Sequence, residues 1–436
     1  MGARLRWFIV FLLFLGGGIS YLDRAALSIA APLIAEDLQL DPARLGIVFS
    51  SFFFGYALFC FVGGWAADRI GPKNVFTLAM TVWSVFCGLT AAATNIAVLL
   101  VVRVIFGMGE GPFSATANKV VSNWFPRREQ ATAVGIANAG QPIGAALAGP
   151  VVGTIAVLAG WRISFIVIAL VGLVWVAAWM LLATDRPEQH RWLGPVEREE
   201  MEQERAQGPA VTARLPLSAY LRRPAILATA FAFFGYAYIL YFFLSWFPTY
   251  LVKAQGLSIG TMGVVNAIPW LVGCIGMVLG GIVCDQIYRR TGHALFARKL
   301  ILVGSLAIAA ICVALAGIVT GVSAVVALMA VSVFFMYLTA NTYWAIILDT
   351  VEEGRVGSVG GFVHLIANLA GIVAPAVTGF IVEWSGGFAG AFVLTGGIAV
   401  LGALAVAVFV RGPARADTPA LSRVPERLVG AGSPRP

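Results

Sequence analysis

Five ionisable residues lie inside long apolar stretches of this 436-residue chain: Asp23, Arg24, Arg103, Glu110 and His364. An ionisable side chain within a membrane span is costly, so such residues are functional candidates by default. Arginine can hold a carboxylate through two parallel N–H donors, which makes Arg24 and Arg103 candidates for binding an anion. Asp23 and Glu110 carry carboxyl groups that can gain and lose protons. The alternative role for these charges is a permanent ion pair that joins the first span to the fourth.

The spacing of these residues suggests which of them share a helix face. Arg103 and Glu110 are seven residues apart, so on an α-helix they lie on one face, about 10 Å apart along the axis. Asp23 and Arg24 are adjacent, and their side chains point about 100° apart around the helix. One of the two can therefore face an internal cavity while the other faces a neighbouring helix.

The elements that must position these residues are membrane-spanning helices. The chain is 60% hydrophobic and only 11% charged, whereas soluble globular domains carry about 25% charged residues. A spanning helix needs about 20 predominantly apolar residues. Twelve apolar segments meet that requirement, at roughly 7–33, 44–66, 74–93, 96–118, 131–157, 163–183, 224–252, 259–284, 299–318, 323–348, 356–382 and 388–410. This composition excludes a soluble enzyme and a nucleic-acid-binding protein.

The positive charge of the chain predicts its orientation in the membrane. The net charge is +8, and with the N-terminus inside, the outer loops hold only three basic residues, Arg44, Arg162 and Lys253. The positive-inside rule therefore predicts that both the N- and C-termini are cytoplasmic. The five cysteines show no metal-ligand spacing, and no enzymatic motif or metal site is predicted.

The chain also divides into two similar halves. The stretch Gly64-Trp-Ala-Ala-Asp-Arg-Ile-Gly-Pro-Lys73 ends the second span, and a related stretch, Gly280–Arg290, ends the eighth, with Asp68 and Asp285 in matching places. Two six-span halves related by parallel repetition are typical of transporters that bind substrate between the halves. We predict a bundle over 1–184, a cytoplasmic linker over 185–223, a second bundle over 224–411, and a disordered cytoplasmic tail over 412–436.

Charged residues gather at the predicted cytoplasmic ends of the second and eighth spans. Their charges can pair between neighbouring helices in one facing state and separate in the other. We therefore predict a cytoplasmic gate formed by Asp68, Arg69, Lys73, Asp285, Arg289 and Arg290.

Several motifs follow one another in order from Tyr21 to Val410. Besides Gly64–Lys73, they are Tyr21-Leu-Asp-Arg-Ala-Ala-Leu-Ser-Ile-Ala-Ala-Pro32, Arg103-Val-Ile-Phe-Gly-Met-Gly-Glu-Gly-Pro112, Trp124-Phe-Pro-Arg-Arg-Glu129, Gly160-Trp-Arg162, Tyr241-Phe-Phe-Leu-Ser-Trp-Phe-Pro-Thr-Tyr250, and Asn368, Gly371 and Pro375. In these the chain resembles the anion:cation symporter family of the major facilitator superfamily. The resemblance implies an all-α membrane protein of twelve transmembrane helices in two six-helix bundles, the major facilitator fold.

The resemblance also implies a function. It implies a secondary active transporter, not an enzyme, that imports a small organic anion by proton symport with rocker-switch alternating access. A sugar acid (hexuronate, aldonate or aldarate) is the expected substrate. An aromatic or dicarboxylic acid of the phthalate, hydroxyphenylacetate or tartrate type is the alternative substrate, and anion exchange or uniport is the alternative mechanism. The partners would be the anion, protons and the lipid bilayer, with no cofactor and no nucleic acid. The expected location of this monomer is the cytoplasmic (inner) membrane of a bacterium.

The resemblance carries proton coupling onto Asp23 and Glu110. The residues that we predict to contact the substrate or to line the cavity, from their chemistry and from the resemblance together, are Tyr21, Arg24, Tyr56, Arg103, Gln141, Tyr241, Asn341, Trp344, His364 and Asn368. The aromatic members of this set could instead be packing or interfacial residues. His364 departs from the family, which more often has asparagine there. A histidine can join proton transfer or substrate binding, although a neutral packing role is the favoured interpretation.

Overall fold

The apolar segments form helices, and the prediction of twelve spans is confirmed. The computed structural model describes residues 2–194, 216–352 and 355–410, within which twelve helical spans are long and apolar enough to cross a membrane. Spans 1 to 6 are the helices Gly2–Asp37, Pro42–Ile70, Pro72–Leu89, Ile96–Glu110 with Phe113–Trp124, Arg127–Asn138 with Gly140–Ala159, and Trp161–Leu182. Spans 7 to 12 are Pro224–Lys253, Ile259–Thr291, Ala294–Ala316, Val322–Leu338 with Thr342–Thr350, Val356–Ser385, and Ala389–Phe409.

Part of the predicted organisation lies outside the described residues. The tail 412–436 and the middle of the linker 185–223 belong to that part. A short helix, Leu217–Leu221, precedes span 7. The domain boundaries and the cytoplasmic placement of the termini therefore stay predictions.

Prolines explain two of the interruptions within spans. Span 4 is interrupted between Glu110 and Phe113, around Pro112, and span 5 is interrupted at Ala139, shortly before Pro142. Proline has no N–H group, so the carbonyl four residues earlier loses its helical hydrogen bond.

Each half packs its six spans in the same arrangement. In the first half, span 1 packs on span 5, span 2 on span 4, and span 3 on span 6. In the second half, span 7 packs on span 11, span 8 on span 10, and span 9 on span 12. This equivalence agrees with the internal repeat, and it gives two six-helix bundles.

The two halves meet through span 1 with span 7, span 2 with span 11, and span 5 with span 8. Glycines allow backbones to touch there. A Cβ added at Gly149 would lie 2.1 Å from the carbonyl oxygen of Gly263, and one added at Gly46 would lie 2.6 Å from that of Pro375. Both contacts lie toward the end of the bundle that holds the loop 38–41, which we call the closed end.

We call the opposite end of the bundle the open end. Trp65 and Asp68 of span 2 are exposed there. Across the described ranges, the hydrogen bonds, ring contacts and glycine contacts that join the halves lie between the closed end and the middle of the bundle. The molecule is therefore closed between its halves at the 38–41 end.

The segment after span 6 ties the first half together at the open end. Asp185 Oδ1 accepts a hydrogen bond from the backbone N–H of Lys73 at the start of span 3, at 2.7 Å. The side chain of Asn123 on span 4 donates to the carbonyl oxygen of Asp185, at 3.0 Å. Gly71 has a φ of +85°, and a Cβ there would lie 2.6 Å from Asp185 Oδ2. Asp185 therefore caps span 3 and fits a turn that only glycine allows.

We expect Asp185→Ala to lower the free energy of unfolding by about 1–2 kcal/mol, because a half-buried backbone N–H loses its acceptor. The measurement is thermal unfolding of the detergent-solubilised protein. Glu36→Ala, at an exposed position, is the control. A melting temperature for Asp185→Ala equal to that of the control would contradict the capping role.

Candidate functional site

The centre of the candidate site is an ion pair between spans 1 and 4. Arg24 Nε donates to Glu110 Oε1 at 2.6 Å, and the hydroxyl of Ser20 donates to the same oxygen at 2.5 Å. Glu110 is fully buried, and its second oxygen, Oε2, has no hydrogen-bond partner in the described part of the chain. Glu110 Oε1 therefore accepts both hydrogen bonds, and Oε2 is available to a proton, a water or a ligand.

Arg103 is a buried cation whose donors are largely unused. It is 3% exposed, and neither Nε nor Nη1 has a hydrogen-bond partner among the described residues. Its guanidinium lies over the rings of Phe52 and Phe106, 5.1 and 4.6 Å from their centroids. A buried charge needs hydrogen bonds or an opposite charge. Two of the Arg103 donor atoms lack a hydrogen-bond partner within the described ranges, and anion binding by Arg103 stays a prediction.

Aromatic rings enclose Arg24. Its guanidinium lies 5.0 Å from the ring centroid of Tyr21, 5.2 Å from that of Phe52 and 4.6 Å from that of Tyr56. Cation–π contacts of this kind stabilise a guanidinium without neutralising it. The structure thus places two of the predicted cavity residues, Tyr21 and Tyr56, against Arg24. Substrate contact by either residue stays a prediction.

Alternating glycines on span 4 explain why Glu110 reaches span 1. A Cβ at Gly107 would lie 2.0 Å from the carbonyl oxygen of Phe52, and one at Gly111 would lie 2.7 Å from that of Tyr56, so both glycines face span 2. Gly109 faces span 3 instead. With these two neighbours in backbone contact with span 4, the side chain of Glu110 points to Ser20 and Arg24 on span 1.

Asp23 points away from the Arg24–Glu110 pair, toward span 3. Its Oδ2 accepts a hydrogen bond from the indole Nε1 of Trp83 at 3.0 Å, and Asp23 is fully buried. Its Oδ1 has no hydrogen-bond partner within the described ranges. Adjacent residues thus face different neighbours, as the helical angle between Asp23 and Arg24 predicts.

A small cavity separates the arginines from the second half. Its volume is about 10 Å³, enough for about one water molecule. It is lined by Arg24, Ser28, Phe49, Phe52, Phe53, Arg103, Leu244 and Ser245. Both arginines therefore face the surface between the two halves, where span 7 contributes the opposite wall.

The second half supplies neutral hydrogen-bonding groups. The hydroxyl of Tyr241 donates to Asn368 Oδ1 at 2.8 Å, and Asn368 Nδ2 donates to the carbonyl oxygen of His364 at 2.9 Å. The ring of Phe53 from span 2 lies 4.3 Å from that of Tyr241, which brings this wall against the first half. His364 Nδ1 has no hydrogen-bond partner among the residues described, and its ring lies beside that of Phe233.

The remaining predicted cavity residues lie farther along the bundle. Gln141 donates to Asn138 Oδ1 at 3.5 Å and packs beside Gly17 of span 1. Trp344 packs against Gly360 and lies 6.1 Å from the ring of His364, but it is 38% exposed. Asn341 is exposed, at the interruption of span 10. Substrate contact by these three residues stays a prediction.

The predicted gate residues lie at the open end. Asp68 pairs with Lys119 of span 4 at 2.6 Å, and the guanidinium of Arg69 lies 4.5 Å from the ring centroid of Trp65. The gate residues of span 8 are exposed in its last turns; they are Asp285, Arg289 and Arg290. In this conformation the Asp68 pair joins two helices of one half. A role in gating stays a prediction.

Sequence reasoning missed two residues that bond directly to the predicted carboxylates, Ser20 and Trp83. Ser20 lies one turn before Arg24 on the same helix face, so its spacing could have indicated it. Trp83 lies in span 3, outside every motif, and nothing in the sequence singles it out. Within the described ranges, no cluster of His, Cys, Asp or Glu side chains could hold a metal ion.

Known proteins resemble this chain along nearly its whole length. A hexuronate transporter of Bacillus subtilis (strain 168) is 48% identical over 405 residues, which cover 92% of this chain and 94% of that protein. A "probable sulfoacetate transporter" of Cupriavidus necator is 34% identical, covering 92% and 93%. A "probable galactarate/D-glucarate transporter" of Bacillus subtilis is 32% identical, covering 94% and 92%.

The fold also has a solved counterpart. A crystal structure of a bacterial homologue of the human lysosomal transporter Spinster, in an inward-facing and occupied conformation, superposes with a TM-score of 0.76 at 18% identity. The superposed region covers 94% of this chain and 99% of the chain in that crystal structure. The model of the Major Facilitator Superfamily matches residues 13–371. The chain therefore belongs to the Major Facilitator Superfamily, as a multi-pass transporter of the bacterial inner membrane and not an enzyme.

Proposed function

We propose that the protein imports a sugar acid together with protons, by rocker-switch alternating access. The observation that carries this proposal is Arg103, a buried cation with unpaired donors that faces the surface between the two halves beside Arg24. Two arginines at one point can bind a carboxylate through several charge-assisted hydrogen bonds. Because the path between the halves is formed by one chain, we propose that the protein works as a monomer.

A sugar acid fits both walls of the site. Its carboxylate would bind the arginines of the first half, and its hydroxyls would meet the neutral donors and acceptors of Tyr241, His364 and Asn368. The relative that is 48% identical is named a hexuronate transporter, and others are named for galactarate, glucarate and galactonate. These names support a hexuronate, aldonate or aldarate over an aromatic acid.

Competition for Arg24 would couple the anion to the proton. In this structure Glu110 occupies Arg24. A substrate carboxylate that approaches Arg24 would repel the ionised Glu110, and protonation of Glu110 would release Arg24 to the substrate. Each event then favours the other by the same free energy, because binding linkage is reciprocal.

The closed end sets the direction of access. If both termini are cytoplasmic, the loop 38–41 lies outside and the open end lies in the cytoplasm. The closed contacts at Gly46 and Gly149 then exclude substrate from the outer side in this conformation. Import would require these contacts to separate and the open end to close, as in a rocker switch.

Uptake into proteoliposomes tests the proposal. The panel is labelled glucuronate, galactonate, glucarate, tartrate and phthalate, each with and without an inward proton gradient. Accumulation of a sugar acid only with the gradient is the expected result. Exchange without gradient-driven accumulation would favour an exchanger, and uptake confined to phthalate or tartrate would overturn the sugar-acid assignment.

We expect Arg103→Gln to weaken substrate binding about tenfold to a hundredfold, because a charged donor to the carboxylate is lost. The measurement is the concentration dependence of counterflow. Arg44→Gln, which removes an exposed arginine that pairs with Asp41, is the control. Binding as tight in Arg103→Gln as in Arg44→Gln would exclude Arg103 from the anion site.

A further inference from the structure

Trp83 is bonded to one of the two predicted proton-coupling carboxylates. Its indole Nε1 donates to Asp23 Oδ2 at 3.0 Å, and both side chains are fully buried. The other oxygen, Asp23 Oδ1, is buried and has no hydrogen-bond partner in the described part of the chain. The two oxygens of Asp23 are therefore in different environments.

The indole is held in place by close packing with span 4. A Cβ added at Gly109 would lie 2.7 Å from the backbone nitrogen of Trp83 and 2.9 Å from its Cβ, so the two helices touch there. The ring of Phe113 packs on the indole with centroids 5.9 Å apart. Gly109 precedes Glu110, so the contact that positions Trp83 lies beside the second coupling carboxylate.

The chemistry of indole gives this bond a direction. An indole N–H only donates, whereas a carboxylate oxygen accepts. Asp23 Oδ2 is thus occupied by a donor in both protonation states, and a proton would bind at Oδ1. Hydrogen bonds to an ionised acceptor are roughly twice as strong as those to a neutral one, so the indole favours the ionised form of Asp23.

We infer that Trp83 is a positioning residue for proton coupling: it holds Asp23 Oδ2, leaves Oδ1 as the atom that gains and loses the proton, and sets the pH range over which uptake responds to protons. This inference rests on the proposed proton symport.

Other ionisable groups near Asp23 do not replace this bond. Glu110 and Arg103, both on span 4, act on Asp23 through their charges, and the thiol of Cys87 lies nearby on span 3. Arg24, the neighbour of Asp23 on span 1, is paired with Glu110. All four groups remain in a Trp83 variant, so the variant isolates the contribution of the indole donor.

The test is the external-pH dependence of substrate uptake by Trp83→Phe in proteoliposomes. Loss of a donor that favours the ionised carboxylate makes Asp23 hold its proton to higher pH. We therefore expect the midpoint of the pH profile to move up by about one pH unit. The uptake rate at each pH is divided by that variant's maximal rate. The midpoint of the profile therefore does not depend on the amount of folded protein.

A matched control is present in the chain. Trp161 is also buried, and its indole donates to Asp37 Oδ2 at 3.2 Å, at the closed end of span 1. Trp161→Phe removes the same kind of bond away from the site, and its midpoint should equal that of the wild type. A shift as large in Trp161→Phe as in Trp83→Phe would overturn the inference.

A second variant removes the donor without removing the ring. Benzothienylalanine at position 83, introduced by nonsense suppression, replaces the indole N–H by sulfur and should shift the midpoint as Trp83→Phe does. In an Asp23→Asn background, Trp83→Phe should cause no further shift. If the wild type is proton-driven and both Trp83 variants keep its midpoint, the inference about Trp83 is overturned while the proposed proton symport stands. A wild type with no proton-driven uptake would overturn the proposed function itself.

Discussion

Glu110→Gln is expected to abolish proton-driven accumulation while leaving substrate exchange in place. The amide oxygen of Gln can accept from Arg24 Nε and from the Ser20 hydroxyl, as Glu110 Oε1 does. The amide is neutral and does not bind a proton near neutral pH, so the competition for Arg24 no longer depends on pH. The variant should therefore behave like a permanently protonated carrier, which exchanges substrate but does not use the gradient.

The measurement compares accumulation under an inward proton gradient with counterflow at equal pH on both sides. We expect at least a tenfold loss of accumulation and counterflow within severalfold of the wild type. Glu383→Gln, at an exposed position on span 11, is the control and should retain both activities. If Glu110→Gln and Asp23→Asn both remain as proton-driven as the wild type, these carboxylates have structural roles and are not coupling groups.

The sequence predicts the architecture because membrane insertion imposes simple rules on composition. Twelve apolar segments correspond to twelve helical spans, and the two halves pack alike. A charged residue such as Arg24 or Glu110 stands out within an apolar segment because lipid does not tolerate it. The charged centre of the candidate site can therefore be located from composition and motifs, which do not single out Ser20 and Trp83, although both bond to its carboxylates.

The sequence analysis left open an ion pair between spans 1 and 4, and the structure contains one, but the sequence did not say which of the charged groups would form it. The helical repeat places Arg103 and Glu110 on one face, but the structure pairs Glu110 with Arg24 on another span. Which neighbour a side chain reaches depends on how closely the helices approach, and here Gly107, Gly109 and Gly111 decide it. Glycine-rich spacing indicates close approach in general, but it does not name the facing helix.

Trp83 shows the same limit for a polar contact between helices. A tryptophan in an apolar span is usually a packing residue, and only the position of span 3 against span 4 brings its indole to Asp23.

Gly149→Ala is expected to open the closed end and to reduce transport at least tenfold. The added methyl group would lie 2.1 Å from the carbonyl oxygen of Gly263 on span 8, a distance that no packed Cβ occupies. Alanine favours a helix over glycine by about 1 kcal/mol, so span 5 itself should not be weakened. The conflict exists only while the halves touch at this end, so the variant penalises this conformation and favours the one in which the end is open.

Spin labels at the closed end measure this shift directly. Arg44→Cys on span 2 and Trp384→Cys on span 11 are both exposed, and the distance between their labels should increase in Gly149→Ala. Gly153→Ala is the matched control one turn away on the same span, because its added methyl group would be 3.6 Å from the nearest atom, the carbonyl oxygen of Ile259. That distance is ordinary van der Waals contact, so the control should keep the wild-type label distance and uptake. An unchanged label distance with full uptake in Gly149→Ala would mean that contact between Gly149 and Gly263 is not required for closure.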